Sequence, residues 1–297
     1  MSGAWRIKQG SPDYPPGLDE LDGRAPPFLH GLGNRDLVVG LAPGDAVTIV
    51  GSRRAGVYGR EMASELAAGA ASAGLVVVSG MAIGCDSAAH QGALDAGGST
   101  IAVLGGGPDL VYPPSNHRLY ERIVATGAAI SEHPPGREPE AWYFAARDRI
   151  MAALSAMTIV VEGAVPSGTQ ITAHEAADLH REVGAVPGPV TSRLSALPHA
   201  LIRDGATLVR DPQDVLDALL GVGAVAVRGV GPELEPQLGR ALEAVAGGLA
   251  TCDAVALEAG LDGADAALAL ARLELMGYLR ADPGGRLSRT SLRAPGE

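Results

Sequence analysis

Residues 46–59 read Ala-Val-Thr-Ile-Val-Gly-Ser-Arg-Arg-Ala-Gly-Val-Tyr-Gly, and this stretch decides the fold. The run Val47–Val50 is apolar and rich in β-branched residues, which is typical of a strand buried on both faces. Gly51 follows at once, and a helical pattern begins near Gly59. This order of strand, glycine turn and helix directs backbone N–H groups towards an anion, and the Arg53 guanidinium would add a forked cation for phosphate oxygens. The expected apolar face of the helix consists of Met62, Leu66, Ala70 and Ala73.

The glycines of this turn match neither of the two common nucleotide-binding motifs. Gly51, Gly56 and Gly59 do not form the dinucleotide fingerprint G-x-G-x-x-G. Gly51 and Gly56 have the spacing of a Walker A loop, but Val57 and Tyr58 occupy the positions of its lysine and hydroxyl residue. The turn therefore predicts phosphate binding without ATP hydrolysis. The alternative is that Gly51 only allows the helix to pack close to its strand.

The composition indicates a soluble α/β protein of two domains. The chain has 297 residues, of which 46% are hydrophobic, and this is enough for a sizeable core. No apolar run approaches the ~18 residues of a membrane span, and the first residues lack a signal peptide, so we expect a cytoplasmic protein without membrane contact. Cys85 and Cys252 are too far apart to indicate a disulfide framework or a metal site. The net charge of −11 argues against a non-specific coat on duplex DNA but is compatible with a local basic groove.

Six apolar strands are predicted, with helices between them. They are Val47–Val50, Leu75–Val78, Thr100–Leu104, Ala128–Ile130, Thr158–Val161 and Glu182–Val186. Small or polar residues follow most of these strands, among them Gly51-Ser52, Ser79-Gly80, Ser131-Glu132 and Glu162-Gly163. Parallel α/β sheets bind ligands at the carboxyl ends of their strands. The pattern therefore predicts one extended site along that edge.

The remaining segments predict the domain organisation. Residues 1–40 are rich in proline and glycine and predict a lead-in segment packed on the core, before a main domain at 41–220. Residues 221–236 predict a linker. Residues 237–297 predict three helices and a hairpin with its turn at 283–285, which is a winged-helix pattern. Segment 236–297 carries 6 Arg against 8 acidic residues, which favours contacts with protein over contacts with DNA.

Three successive aromatic residues, 142–144, stand just before Arg147, Asp148 and Arg149. Aromatic faces beside guanidinium groups suit single-stranded nucleic acid, because bases stack on the rings and phosphates bind the cations. The alternative is an aromatic plug that covers the sheet. We expect one ring to stack on a base and the others to pack.

Further polar residues lie near the predicted strand ends. The segment 166–172 offers hydroxyls and backbone donors at a predicted helix start, which favours phosphate or sugar binding over simple capping. Glu162 would accept hydrogen bonds or would tether Arg147 or Arg149. Asp86 and His90 are four residues apart on a predicted helix, where we expect a helix-start Asp and a hydrogen-bonded His without a catalytic role.

Taken together, these motifs resemble the DNA-processing protein A family (DprA, also called Smf). The matching pieces include Val-Gly-Ser-Arg at 50–53, Ser79-Gly80, Gly84 with Asp86, Ala89-His90, Tyr112-Pro113, Ser131-Glu132, Arg147-x-Arg149, Glu162, Ser167-Gly168 with Thr172-Ala173, and Ala-Val-Pro-Gly at 185–188. The resemblance implies an extended Rossmann-like parallel sheet with helices on both faces, and a homodimer that binds single-stranded DNA. It also implies loading of the RecA recombinase in natural transformation, with no cofactor, no metal and no catalytic residue. The expected DNA-binding residues are Gly51, Ser52, Arg53, Ser79, Gly80, Ser131, Glu132, Phe144, Arg147, Asp148, Arg149, Glu162, Ser167, Gly168, Thr169 and Thr172.

The chain departs from the family pattern in ways that remove positive charge. Asp148 replaces the usual Asn, and Ile83 stands where an Arg is common. Cys85, Ala145, Leu197 and His199 are further departures, and the family's separate N-terminal helical domain is expected to be absent. With less positive charge, we expect this protein either to bind DNA more weakly than is usual in the family or to be a divergent member with a different function.

Two alternative functions stay open. One is a nucleotide-binding or nucleotide-hydrolysing protein of the phosphoribohydrolase-like Rossmann group, although Thr172 occupies the position of that group's catalytic Glu. The other is a sensor of small nucleotides whose winged helix signals to a partner.

Overall fold

The computed structural model describes residues 3–221, 234–249, 251–276, 278–281 and 287–289. Contacts divide the chain into two units, Met1–Ala226 and Val227–Glu297. Most of the predicted linker and the predicted hairpin turn at 283–285 lie outside the described residues. The domain boundaries at residues 40, 220 and 236 therefore stay predictions.

A sheet of nine strands forms the centre of the first unit. Its strands are β1 (Trp5–Lys8), β2 (Phe28–Gly33), β3 (Ala46–Val50), β4 (Val76–Ser79), β5 (Thr100–Val103), β6 (Ala128–Ser131), β7 (Met157–Val160), β8 (Glu182–Ala185) and β9 (Thr207–Leu208). Their spatial order is β1-β2-β6-β5-β4-β3-β7-β8-β9. The strands from β3 to β9 pair in parallel, whereas β1 pairs with β2, and β2 with β6, in the antiparallel direction.

Helices cover both faces of this sheet. They are α1 (Pro16–Asp19), α2 (Val57–Ser72), α3 (Cys85–Asp95), α4 (His117–Thr126), α5 (Ala141–Ala146), α6 (Asp148–Leu154), α7 (Thr169–Asp178), α8 (Ala196–Arg203) and α9 (Pro212–Leu220). Alternate residues of β3 point to opposite faces, so Ala46 and Val50 pack with α6 and α7, and Val47 and Ile49 pack with α2, α3 and α9. The predicted α/β fold is confirmed, and each predicted strand agrees with the observed strand to within one residue at either end.

The segment 1–40 is more than a packed lead-in, because it supplies β1 and β2 to the sheet. Leu29 of β2 is completely buried and belongs to the same core cluster as Ile101 and Ile130. Sequence analysis missed both strands because proline and glycine dominate this segment and its apolar residues are scattered. The N-terminal residues are therefore part of the hydrophobic core.

The expected apolar face of helix α2 is confirmed in part, since Leu66 and Ala70 are buried and the buried face is shifted towards Ala63, Ala67 and Ala71. The buried residues are Gly59, Ala63, Leu66, Ala67, Ala70 and Ala71, whereas the expected Met62 and Ala73 are only partly buried. Small residues on this face allow α3 to approach closely, and a Cβ atom at Gly92 of α3 would collide with the Ser64 backbone. The tight pairing of α2 with α3 fixes the loops that precede both helices.

The second unit has its own core. It contains α10 (Pro236–Ala246), α11 (Cys252–Ala259), α12 (Gly263–Leu275) and an antiparallel pair, β10 (Leu279–Ala281) with β11 (Leu287–Arg289). Leu238, Leu242, Leu273 and Tyr278 are buried at its centre. The three predicted helices are confirmed, and the winged-helix assignment stays a prediction. None of the helices in the described part of the chain is long and apolar enough to cross a bilayer.

Replacing Leu29 with Ala is expected to lower the free energy of unfolding by about 2–5 kcal/mol, the usual cost of a buried Leu→Ala cavity. Urea denaturation followed by circular dichroism would measure the change. Leu275→Ala is the matched control, because Leu275 is 89% exposed and its loss leaves no cavity. Equal stability of the two variants would contradict the assignment of β2 to the core.

Candidate nucleic-acid interface

The loop between β3 and α2 is held by carboxylates from elsewhere in the chain. Glu162, just after β7, accepts a hydrogen bond from the Gly56 N–H at 3.0 Å, and its carbonyl accepts one from the Ser52 N–H at 2.7 Å. Asp86 in the first turn of α3 accepts hydrogen bonds from the Gly51 and Ala82 N–H groups. The Arg54 N–H binds the Ser52 hydroxyl at 3.0 Å. The N–H groups of Gly51, Ser52, Arg54 and Gly56 therefore bind acceptors of the protein itself, and the expectation that they would face a ligand anion is not met at these positions.

Close approach explains two glycines of the loop region, and a Cβ atom at the first of them, Gly51, would collide with the Cys85 side chain of α3, in line with the packing alternative for Gly51. A Cβ atom at Gly59 would collide with the Glu162 carboxylate. Glu162 is buried and contacts this loop, so it does not tether Arg147 or Arg149 as one expectation had it. Its role as an acceptor is confirmed, and its effect is to fix the loop that carries Arg53.

A cavity of about 520 Å³ opens beside this loop, and we call it the main cavity. It lies at the carboxyl ends of β3 and β7, where the sequence predicted the site. Arg53 and Arg54 are exposed at its wall, and no ion pair of either arginine is found among the described residues. Its other principal lining residues are Gly51, Ser52, Asp86, Phe144, Ala145, Arg147, Asp148, Ser167, Gly168, Thr169, Ile171 and Thr172.

The Phe144 ring lies close to two arginine side chains at the main cavity. The Arg53 guanidinium carbon lies 5.5 Å from the centre of its ring, and the Arg147 guanidinium carbon lies 5.8 Å from it. The ring also lies 5.1 Å from that of Tyr112, which forms a side pocket of about 90 Å³ with Ile83. Ile83 adds apolar surface beside Tyr112 and Phe144, at the position where an Arg is expected from the family resemblance.

Arg147 is buried, in contrast to Arg53, and its hydrogen bonds connect the ends of neighbouring strands. Its guanidinium donates to the carbonyl oxygens of Gly80 and Val103, at the ends of β4 and β5. It lies 3.7 Å from the Asp148 carboxylate and 4.0 Å from that of Asp86. A Cβ atom at Gly80 would collide with the guanidinium, so Gly80 provides room for Arg147. The Nε atom of Arg147 is buried without a hydrogen-bond partner.

The two arginines predicted as one clamp are separated. Arg149 forms a double hydrogen bond with Glu132, at 2.7 and 3.0 Å, and donates to the carbonyl of Arg24. It lines another cavity, with Trp142 and Glu132. Arg147, between α5 and α6, keeps helical dihedral angles, and residues two apart on helical backbone lie about 200° apart around the axis, so Arg149 lies away from the main cavity.

Two serines predicted to bind DNA are buried and form hydrogen bonds within the protein. The fully buried Ser79 hydroxyl donates to the carbonyl of Ile49 at 2.6 Å and joins β4 to β3. Ser131, also fully buried, accepts a hydrogen bond from the His133 N–H. Neither lines the main cavity, so the structure does not group them with Arg53.

The start of α7 is capped by its own loop. The Ser167 hydroxyl accepts from the Thr169 N–H at 3.2 Å, and the Ser167 carbonyl accepts from the Gln170 N–H. These bonds order the turn at the main cavity, and phosphate binding by this segment stays a prediction. Buried Thr172 hydrogen-bonds the Asp148 carboxylate.

Asp86 and His90 are separate features of α3. His90 binds the Thr100 hydroxyl through Nδ1 at 2.7 Å, and burial lowers its pKa to about 3, so the ring is neutral. A helix-start Asp and a hydrogen-bonded His were expected and are observed, but the contact of Asp86 with the loop was not expected. No local pattern indicates it, because its partner Gly51 is 35 positions away in the chain.

Burial raises the pKa of Asp148 from 3.8 to about 7, and the nearby Arg147 guanidinium only partly opposes this effect. Burial also raises the pKa of Asp86. Near neutral pH the Asp148 side chain is therefore partly protonated. In its neutral form it resembles the Asn of the family pattern in shape and in charge.

Comparison with known proteins identifies relatives along most of the chain. Residues 5–220 match the sequence profile of a family described as DNA recombination-mediator protein A. A putative DNA processing protein DprA of Mycobacterium tuberculosis H37Rv is 40% identical over 274 residues, which cover 88% of this chain and 68% of that protein. Protein Smf of Synechocystis is 32% identical over 94% of this chain and 78% of its own length.

Two solved structures are similar in fold to most of this chain. DNA processing protein A from Streptococcus pneumoniae is 39% identical, with a TM-score of 0.66, over 71% of this chain and 73% of that one. DNA processing protein A from Helicobacter pylori is 27% identical, with a TM-score of 0.64, over 73% of this chain and 95% of that one. The Helicobacter structure describes a single-stranded DNA binding mode of that protein.

Asp148→Asn is expected to stabilise the protein at pH 8 by up to about 4 kcal/mol, and to stabilise it less than half as much at pH 5. Between about pH 4 and 7 the folded protein keeps the Asp148 proton and the unfolded chain releases it, so this group makes stability fall as pH rises. Thermal unfolding at both pH values would measure the effect.

Asp204→Asn is the matched control for this measurement, because the Asp204 side chain is 71% exposed. The raised pKa of Asp148 would be contradicted if the difference in stability between Asp148→Asn and the parent protein were the same at pH 5 and pH 8.

Proposed function

Because the chain belongs to the DNA recombination-mediator protein A family, we propose that it binds single-stranded DNA across the mouth of the main cavity. The observation that carries this proposal is the exposed Arg53 guanidinium, held over the Phe144 ring at the wall of the main cavity. A guanidinium that forms no ion pair within the described part of the chain is available to phosphate oxygens, and the adjacent ring is available to a base.

The charges around the main cavity favour a flexible polyanion over a small, highly charged ligand. Arg53 and Arg54 are exposed, whereas the buried Arg147 is balanced by Asp86 and Asp148. A single strand can place phosphates on the exposed cations while its bases occupy the less polar wall near Tyr112 and Phe144. Protonation of Asp148 removes a negative charge from this surface, which offsets the departure from the family's Asn.

The proposed set of contact residues is smaller than the one expected from sequence. We retain Arg53, Phe144, Ser52 and the 167–169 segment as contacts, because they line the main cavity. We assign Glu162, Gly80 and Arg147 to positioning this wall. Arg54 is an addition to the expected set.

Arg53→Ala is expected to weaken binding of a fluorescein-labelled oligothymidylate by roughly tenfold at low salt, the effect of losing one charged hydrogen bond. One lost phosphate contact should also flatten the slope of log K against log salt by about 0.7. Fluorescence anisotropy at several salt concentrations would measure both quantities.

Arg203→Ala is the control for the loss of one positive charge, because the Arg203 side chain is 82% exposed and is not among the main-cavity residues. Equal affinity and slope for the Arg53 and Arg203 variants would overturn the proposed role of Arg53.

We further propose that the protein acts as a homodimer that loads RecA onto single-stranded DNA. The family description as a recombination mediator supports a role of this kind. Light scattering would give the mass in solution, and a mass equal to that of one chain at all concentrations would exclude the dimer.

The parent protein is expected to shorten the lag before RecA begins DNA-dependent ATP hydrolysis, and Arg53→Ala is expected to lose this effect because it binds the strand more weakly. The ATPase time course with limiting single-stranded DNA measures the lag. A lag that the parent protein leaves unchanged at every concentration would exclude RecA loading.

A further inference from the structure

A second cavity of about 520 Å³ lies on the other side of α5 from the main cavity. We call it the Trp142 groove. Its lining residues are Gly23, Arg24, Ala25, Pro27, Glu132, His133, Trp142, Ala146, Arg149 and Glu175. The proposed function leaves this groove without a role.

The Trp142 indole is exposed yet held in place. It is 62% exposed, although large aromatic rings usually bury most of their surface. Its Nε1–H donates to the Glu140 carboxylate at 3.1 Å. Its ring packs edge-on against Tyr143, at 4.3 Å between centres and 77° between planes. A ring held at its edge in this way keeps a face free for a flat ligand.

The support beneath Trp142 is itself well ordered. Tyr143 is buried and stacks on His133, with 3.9 Å between ring centres. The Tyr143 hydroxyl accepts hydrogen bonds from the Arg137 guanidinium and lies 3.1 Å from the Glu140 carboxylate. Binding on the indole would therefore cost little further ordering of the protein.

The charged residues of the groove are paired with one another. Arg149 binds Glu132 at 2.7 Å, and Arg24 binds Glu175 at 2.8 Å. The two ion pairs cancel in charge, so this surface offers a phosphate much less than Arg53 does. A neutral, flat group with polar edges, such as a nucleobase, fits the free indole face and the polar rim.

Helix α5 connects the two cavities. Phe144 and Ala145 line the main cavity, while Trp142 and Ala146 of the same short helix line the groove. A helix with its side chains is only about 10 Å wide, so a strand that leaves the main cavity reaches the indole within a few nucleotides. The two aromatic residues thus offer stacking surfaces on opposite sides of one helix.

We propose that Trp142 is a second base-stacking site, which takes a nucleobase of the same single strand after the strand has crossed α5. This inference rests on the proposed function, since it assumes that the strand occupies the main cavity. It assigns phosphate binding to Arg53 and only base stacking to Trp142. The two residues therefore have different signatures in a binding experiment.

The chain contains two tryptophans, so its own fluorescence reports on Trp142. The other, Trp5, donates its Nε1–H to the Gly33 carbonyl and packs on Gly31 at the β1–β2 edge of the sheet. Stacking of a base on Trp142 is expected to quench the emission when a long oligothymidylate binds. Trp142→Phe keeps an aromatic face and retains Trp5, so it should bind with nearly unchanged affinity but without this quenching.

Trp142→Ala is expected to weaken binding of long oligothymidylates by about tenfold, the size of one base stacked on an aromatic side chain. The slope of log K against log salt should stay unchanged, since no phosphate contact is lost. Oligonucleotides too short to cross α5, such as dinucleotides, fill only the main cavity and should bind the variant and the parent protein equally.

Anisotropy and emission, measured in the same titration, separate the possible outcomes. Binding by anisotropy without quenching, or equal affinity of Trp142→Ala for long strands, would overturn the second stacking site and leave the proposed function standing. A salt slope that falls in Trp142→Ala would also overturn it, in favour of a phosphate contact. Failure of any single strand to bind the parent protein would overturn both.

Discussion

Two buried carboxylates, those of Asp86 and Glu162, hold the loop that follows β3, and the geometry of the site depends on them. They bind backbone N–H groups at Gly51 and Gly56, while the Glu162 carbonyl binds the N–H of Ser52. A glycine turn before a helix often presents such donors to a phosphate. Here the protein supplies its own anions, so internal hydrogen bonds hold the loop without a ligand. Recognition of a polyanion then passes from the backbone to the side chains that the loop presents, above all Arg53.

The contrast between Arg53 and Arg147 shows how one residue type serves two purposes a few ångströms apart. A buried guanidinium needs hydrogen-bond acceptors and opposite charge, and Arg147 has the carbonyls of Gly80 and Val103 together with two carboxylates. Burial nevertheless lowers its pKa, which shows that desolvation outweighs this compensation. Arg53 keeps its hydration and stacks on Phe144. The Phe144 ring lies near both guanidinium groups, so it contacts the buried Arg147 as well as the exposed Arg53.

Sequence alone predicted the parallel strands well and the site only in part. Strands such as β3 and β4 are continuous apolar runs, whose burial on both faces fixes their position. The strands β1 and β2 lack that pattern, because they lie at the antiparallel edge and contain exposed residues. The place of the site followed from the strand ends. Which donors are free did not follow, because it depends on Asp86 and Glu162, which reach the loop from distant parts of the chain.

The division of Arg147 and Arg149 follows from their spacing in the chain, and it bears on how a net acidic protein would bind a DNA strand. Residues two apart on helical backbone lie about 200° apart around the axis, so one side chain is buried while the other pairs with Glu132. Arg53 and Arg54 are then the exposed arginines among the described residues that line the main cavity, in a protein whose net charge is −11. Electrostatic attraction over long range is weak in such a protein, so affinity must come from short-range contacts such as stacking. The rigid aromatic residues on both sides of α5 supply that kind of contact without adding positive charge.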